Sequence, residues 1–167
     1  MIKQLTRSDL SVAAEVVRIS FATVAEAFGL TEQNCPRHPA FAVTEERLQG
    51  FFGKSCRMYG LFEDGKMVGY TALSDQGDGV YGIHNLAVLP GYRHKGYGKR
   101  LLDVCKRQVM ASNGVNIKIE IIEDNTMLKD WYLANGFRAL GTERIEQLPF
   151  LVGFLAWECN ELNEQRR

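Results

Sequence analysis

One short run of residues could hold a phosphate. Arg93, His94, Lys95, Gly96, Tyr97 and Gly98 form a basic loop punctuated by glycine, and Lys99 and Arg100 follow at once. An apolar run, Ile83 to Leu89, comes before it and is broken by Pro90-Gly91. After it, Leu101, Cys105 and Val109 recur at i, i+4 and i+8, with Leu102 beside them, which predicts an amphipathic helix. Strand, glycine loop and helix together build an anion cradle. The first N–H groups of a helix have no partner within it, carry partial positive charge and point outward. Glycine lets the backbone come close to a phosphate with no side chain in the way. Arg93, Lys95, Lys99 and Arg100 add formal positive charge around it.

The pattern narrows the anion. No Gly-Lys-Ser/Thr closes the run, so it is not the phosphate loop of a nucleoside triphosphatase. A dinucleotide fingerprint would need a third small residue where Leu101 stands. Lysine plus arginine equals aspartate plus glutamate at 20 each, so no global field draws in nucleic acid or an acidic membrane. The cationic cluster is local, which suits a small polyanion. Cys35-x-x-His38 has metal-like spacing, but no second ligand pair accompanies it, so no metal is expected. Cys35, Cys56, Cys105 and Cys159 are scattered, with no C-x-x-C. That usage suggests reduced thiols, with Cys105 and Cys159 as buried hydrophobes, and the chain opens without a signal-peptide pattern. A cytoplasmic protein is expected, without membrane or nucleic-acid partners.

These residues must be carried by ordered elements. Ile2 to Leu5 reads as a strand. Leu10, Ala14, Val17, Phe21, Val24 and Phe28 predict a helix ended by Gly29. Residues 30–43 contain Pro36 and Pro39 and are expected to be irregular; Thr44 then caps a short helix opened by Glu45 and Glu46. Arg57–Glu63 and Met67–Leu73 flank Asp64-Gly65, a hairpin by its turn chemistry, and a second turn over 75–79 leads into a strand at Tyr81–Leu89. Ile117, Ile119 and Ile121 alternate with Lys118 and Glu120, which predicts a strand reached through a helical crossover and so parallel to its predecessor. A helix capped by Asn125 or Thr126, strands at 137–144 and 150–158, and a fraying polar tail from Asn160 complete a mixed α/β order. The apolar final strand could be core or could pair across a homodimer.

Arg93-x-x-Gly96-x-Gly98 resembles the pyrophosphate loop of the GNAT N-acetyltransferase superfamily, Arg/Gln-x-x-Gly-x-Gly/Ala. Leu86-Ala87-Val88 resembles that family's preceding strand. Asn125 to Phe137, N-T-M-L-K-D-W-Y-L-A-N-G-F, resembles its closing segment, and the element order matches along nearly the whole chain. The resemblance implies one domain over residues 1–167. Its fold would be a central, mostly antiparallel sheet of about seven strands, splayed at the cofactor site, with helices on both faces. It implies acetyl-CoA as co-substrate, with the diphosphate held at Arg93, His94, Lys95, Gly96, Tyr97, Gly98 and Lys99. The pantetheine arm would lie along Leu86, Ala87 and Val88 and meet Asn125, with Tyr132 facing the sulfur.

Acetyl transfer to an amine needs a neutral nucleophile, a place for the oxyanion and an exit for the thiolate. An alkylamine of pKa about 10.4 is neutral in only about one molecule in 2,500 at pH 7, a handicap of roughly 4.6 kcal/mol; for an α-amine near 8 it is about 1.4 kcal/mol. A general base relieves it. His84 and Glu120 are the candidates. An unperturbed imidazole is mostly free base at neutral pH; the plainer readings are a satisfied strand histidine and a solvated carboxylate. By resemblance the Val88 amide would meet the oxyanion, and Tyr132 would assist the thiolate, unless it is a core tyrosine at i+4 from Leu128. Arg37, His38, Glu26 and Glu32 disagree in sign and do not settle the acceptor; no tandem aromatic or acidic cluster marks a peptide groove, so a small-molecule amine is expected over a protein. The alternative is a non-catalytic acyl-CoA sensor on the same fold.

Overall fold

The structure, a computed structural model, describes residues 1–160. The tail beyond Asn160 lies outside the described residues. The strands are β1 (Ile2–Gln4), β2 (Cys56–Glu63), β3 (Lys66–Asp75), β4 (Val80–Val88), β5 (Asn116–Ile122), β6 (Arg138–Arg144) and β7 (Leu151–Glu158). The α-helices are α1 (Leu10–Ala27), α2 (Pro39–Ala42), α3 (Glu45–Phe51), α4 (Tyr97–Ala111) and α5 (Thr126–Ala134). Among the described residues seven strands join one sheet in the order β1-β2-β3-β4-β5-β7-β6, and only the β4–β5 pair is parallel. This is the mixed α/β, mostly antiparallel arrangement expected from the sequence.

β3 is buried on both faces, because helices cover both. Thr71 meets Cys105 of α4, and a Cβ on Gly69 would stand 3.0 Å from Leu101 of that helix. Tyr70 and Ala72 point the other way and are buried on the opposite side. The β2–β3 turn places Asp64 and Gly65 at positive φ, the hairpin geometry their types favour. β7 lies between β5 and β6, so both its edges are spent inside the sheet. β6 is the exposed edge strand; it carries Arg138, Glu143 and Arg144, charges that discourage pairing with another chain.

Two expectations change. Residues 30–43 are not wholly irregular, since Pro39 starts the short α2. A proline at the first helical position loses no bond, as its missing N–H would be unpaired there anyway. The His38 ring caps it, its Nδ1 accepting the Ala40 N–H at 3.3 Å. Cys159 is half-buried rather than fully buried, whereas Cys105 is completely enclosed.

Candidate active site

The site begins where β4 and β5 part. Their parallel ladder runs only from Val80 opposite Asn116 to Gly82 opposite Lys118. Beyond it β5 pairs with β7 alone and β4 with β3 alone, which leaves an opening between them. A bulge in β4 marks the parting. His84 stands opposite Ala72 and Ala87 opposite Tyr70, so Asn85 and Leu86 together face the single residue Thr71. Asn85 takes φ 53°, a left-handed conformation that asparagine tolerates better than most residues. A bulge bends its strand and ends regular pairing, which is the physical source of the opening.

The strand wall then presents its backbone. The Leu89 N–H donates to the Val68 carbonyl of β3 at 2.9 Å. Neighbouring residues of an extended strand point opposite ways, so the N–H and C=O of Val88 face away from β3, toward the opening. The carbonyl is capped by Arg93, whose Nε donates to it at 3.0 Å. The Val88 N–H has no strand beside it to pair with.

Arg93 does more than cap. Its two terminal nitrogens donate to Thr23 Oγ1 at 3.0 Å and to the Ser20 carbonyl at 2.8 Å, both on α1. The guanidinium therefore staples the end of β4 to α1, with its donors turned inward. The phosphate-loop expectation rests on the backbone instead. Among the described residues, the N–H groups of His94, Lys95, Gly96, Tyr97 and Gly98 find no carbonyl partner. They form the entry to α4, where the helix dipole adds positive potential. His94 has φ 61° and Gly96 φ 77°, and two left-handed residues so close together curl the chain and turn successive amides to one side. Gly96 is needed for this conformation. Gly98 fits under a neighbour, since a Cβ there would stand 3.4 Å from the Trp131 ring.

The loop's side chains are partly engaged. Lys95 Nζ lies 5.2 Å from the centre of the Tyr92 ring, Tyr97 donates its phenolic proton to Glu63 at 2.6 Å, and Lys99 pairs with Asp103 at 2.8 Å. The pair is exposed and contributes little stability. The lysines stay near the loop as solvated charges.

Across the opening, α5 carries two of the predicted residues. Asn125 caps the helix, its Oδ1 accepting from the Leu128 N–H at 3.3 Å. Tyr132 is only 5% exposed. Its ring packs edge-on between Trp131 (4.9 Å between centres) and Phe137 (5.1 Å). Burial drives its pKa upward, with the Cys105 thiol adding to the shift, so the phenol keeps its proton at neutral pH.

His84 and Glu120 each lie two residues beyond the last β4–β5 pair, on the same side of the sheet and both solvent-exposed. They reach the mouth of the opening from its two walls. His84 Nε2 is 2.7 Å from Ser74 Oγ on β3. The protein surrounding the ring lowers its pKa by desolvation, and the nearby Glu120 charge opposes this. The neutral imidazole is therefore the main form at pH 7. Cys35 and His38 are both buried, and the His38 ring packs on Phe21 and Phe41. Among the described residues no cluster of three or more His, Cys, Asp or Glu could hold a metal ion.

The sequence reading missed Ser74, Asn85 and the Ser20–Thr23 anchor of Arg93. Asn85 had a signal: a lone asparagine inside an apolar strand. Ser74 and the α1 anchor depend on contacts between distant segments and had none.

The model of the Acetyltransferase (GNAT) family matches residues 23–137, more than half of the chain. The protein belongs to the GNAT acetyltransferase family. Solved structures share its fold. PaiA N-acetyltransferase from Thermoplasma acidophilum, in complex with coenzyme A, superposes with a TM-score of 0.81 at 19% identity, over 95% of this chain and 98% of that one. The ribosomal-protein-S18-alanine N-acetyltransferase of Escherichia coli gives 0.76 at 18% identity, over 97% of each chain. An aminoglycoside 6'-acetyltransferase type Ii gives 0.70 at 14% identity, over 95% and 96%. As a GNAT acetyltransferase the chain takes acetyl-CoA as its donor. In this GNAT fold β4 and β5 part after Gly82 and Lys118, and α5 meets the 94–98 loop where Trp131 lies beside Gly98.

Proposed function

We propose that this GNAT domain, a single unit over residues 1–167 acting in the cytoplasm, transfers the acetyl group of acetyl-CoA to the primary amine of a small molecule. The observation that carries the reading is the run of unpaired amides from His94 to Gly98, set at a helix entry and beside an opening in the sheet. Donors fixed in advance and left without carbonyls suit a diphosphate. Residues 86–88 then offer backbone along which the pantetheine arm pairs, and the Nδ2 of Asn125 is left for it once Oδ1 has capped α5.

The residues divide the chemistry among them. His84 or Glu120, directly or through water, takes a proton from the bound ammonium. The freed amine attacks the thioester carbon, forming the C–N bond. The Val88 N–H receives the negative charge that gathers on the carbonyl oxygen; a pre-placed donor of this kind is worth about 2.7–4 kcal/mol in other acyl-transfer enzymes. As the C–S bond breaks, Tyr132 donates a hydrogen bond or its proton to the departing thiolate. A thiolate of pKa about 8.5 leaves tolerably well unaided, so this gain is modest.

A small acceptor is supported by the second apolar cluster. Leu30 and Cys35 bury with Ala25 and Ile122, and Phe28, Phe41, Leu148 and Phe150 pack against them. By family resemblance the acceptor cleft would be lined by about 21–45 and 144–152, and these segments pack on one another in this cluster, which leaves less room for an extended peptide. The test is a panel of amines, from polyamines and aminoglycosides to a peptide with a free N-terminus, scored by thiol release from acetyl-CoA. Release with small amines is expected; release with the peptide alone would move the acceptor to protein. Melting curves with acetyl-CoA, CoA, ATP and NAD provide the ligand check. A ligand at a hundredfold its Kd adds about 2.7 kcal/mol, and a shift with ATP or NAD alone would overturn the donor.

A further inference from the structure

We infer that Ser74 is the positioning residue for His84: its hydroxyl holds the ring as the Nε2–H tautomer, so that Nδ1 is the atom that takes the proton from the amine. The inference rests on the proposed acetyl transfer and chooses between its two candidate bases. Ser74 Oγ has one proton and two polar neighbours: His84 Nε2 at 2.7 Å and the Gly82 carbonyl at 3.5 Å. The carbonyl can only accept. If the hydroxyl proton turns to it, the serine oxygen must accept from the ring, which places a hydrogen on Nε2. Nδ1 then carries the lone pair, and it has no hydrogen-bond partner among the described residues. A serine pointed the other way would leave Nδ1–H, with the one basic nitrogen, Nε2, already occupied by the serine hydroxyl.

The site is built to keep this ring in place. A Cβ on Gly82 would come 2.2 Å from the Gln76 side-chain amide nitrogen, which would have to move aside, and 3.2 Å from His84 Nε2, so a larger residue there would press on the ring. The titratable and charged groups nearest by register are Glu120 and Lys118 on β5, Asp75 on β3, and Cys56 on β2 opposite Ser74. Glu120 favours the imidazolium that forms when the ring accepts a proton, so the two candidate bases become one base and its electrostatic partner. In the step itself the ammonium proton moves to Nδ1, and the amine lone pair closes the C–N bond. The leaving sulfur keeps the C–S electrons, and the imidazolium later returns its Nδ1 proton to water.

Nitrogen NMR of histidine-labelled protein reads the tautomer without any acceptor. The His84 signals are found by comparison with His84→Gln. The wild type is expected to show Nε2–H, Ser74→Ala a mixture of tautomers, and Ser74→Thr the wild-type pattern. In the thiol-release assay, with the fastest amine of the panel, Ser74→Ala should lower kcat/KM roughly fivefold, the worth of one hydrogen bond, and Ser74→Thr should restore it. The acid limb of the pH profile should move in Ser74→Ala and vanish in His84→Gln. An Nδ1–H tautomer in the wild type overturns the inference. So does an acid limb that survives in His84→Gln but disappears in Glu120→Gln. Failure of the acetyltransferase reading would look different: no thiol release with any amine and no melting shift with acetyl-CoA, whatever the tautomer.

Discussion

Replacing Arg93 by glutamine separates a structural staple from a phosphate ligand. The guanidinium makes three hydrogen bonds, to Val88 O, Thr23 Oγ1 and Ser20 O, at 2.8–3.0 Å. Hydrogen bonds from a charged donor are worth roughly 1.5–3 kcal/mol each. Several things offset that loss. The freed side chain regains up to about 2 kcal/mol of rotamer entropy, and Val88 O, at the opening, can bond water instead. Ser20 O keeps the Thr23 hydroxyl at 2.9 Å. We therefore expect a net loss of about 2–3 kcal/mol, toward the upper end of ordinary substitutions. For a chain of this size that is roughly a 4–12 °C fall in Tm. Acetyl-CoA affinity, measured by calorimetry well below the new Tm, should fall less than about threefold, with its dependence on salt unchanged, because the charge removed was already turned inward. Turnover should fall more than binding, since the strand edge that carries the Val88 N–H loses the anchor on its carbonyl. An unchanged Tm with a tenfold weaker Kd and a flatter salt dependence would refute the staple and make Arg93 a direct ligand of the diphosphate.

Other outcomes follow from the same contacts. Tyr132→Phe should cut kcat severalfold while acetyl-CoA binding holds within about twofold, since the ring packing is kept and one donor is lost; equal turnover would remove Tyr132 from the mechanism. Gly96→Ala should cost about 1 kcal/mol for its left-handed φ of 77° and weaken acetyl-CoA binding as the amides turn. Gly98→Ala, whose Cβ would meet Trp131 at ordinary contact distance, should do neither to the same degree, and equal losses at both sites would contradict these separate roles. Burial lowers the pKa of His38, and its neutral Nδ1 caps α2. Its stabilising contribution is thus present above the unfolded value of about 6.5 and lost as pH falls below it. The Tm decrease between pH 7 and 5 should shrink in His38→Asn, which keeps a cap and does not titrate; an undiminished decrease would clear His38.

The parts of the site that the sequence displayed are those where one residue type has one local physical job. Glycine at 96 and 98 signalled unusual backbone, apolar spacing over 101–109 placed the helix behind the loop, and Asp64-Gly65 gave its hairpin. Side-chain direction was not displayed in the same way. Arg93 read as loop charge, yet its two terminal nitrogens donate to α1, about seventy residues away along the chain. Pro39 read as a helix breaker, yet a proline breaks a helix only from its second turn on. Tyr132 offered two readings, core or catalytic, and the fold makes them compatible: the ring is core, and the same burial keeps its hydroxyl protonated.

The opening itself depends on local frustration. A strand of the composition Ile83–Leu89 would pair on both sides if its register ran true, and the site would close into continuous sheet. Asn85 prevents that by taking a conformation in which two residues answer one, so β4 leaves β5 just after Gly82. The cost is an unpaired stretch of strand backbone. The Val88 carbonyl in that stretch is satisfied by Arg93, while the N–H beside it is left open. One polar group of that strand edge is thus consumed by the fold, and the other is the one the proposed transfer assigns to the reacting oxygen. Under the proposed mechanism this asymmetry, with a bulge at one end and a staple at the other, would turn an edge that otherwise invites pairing into the place where the acyl group is held and attacked.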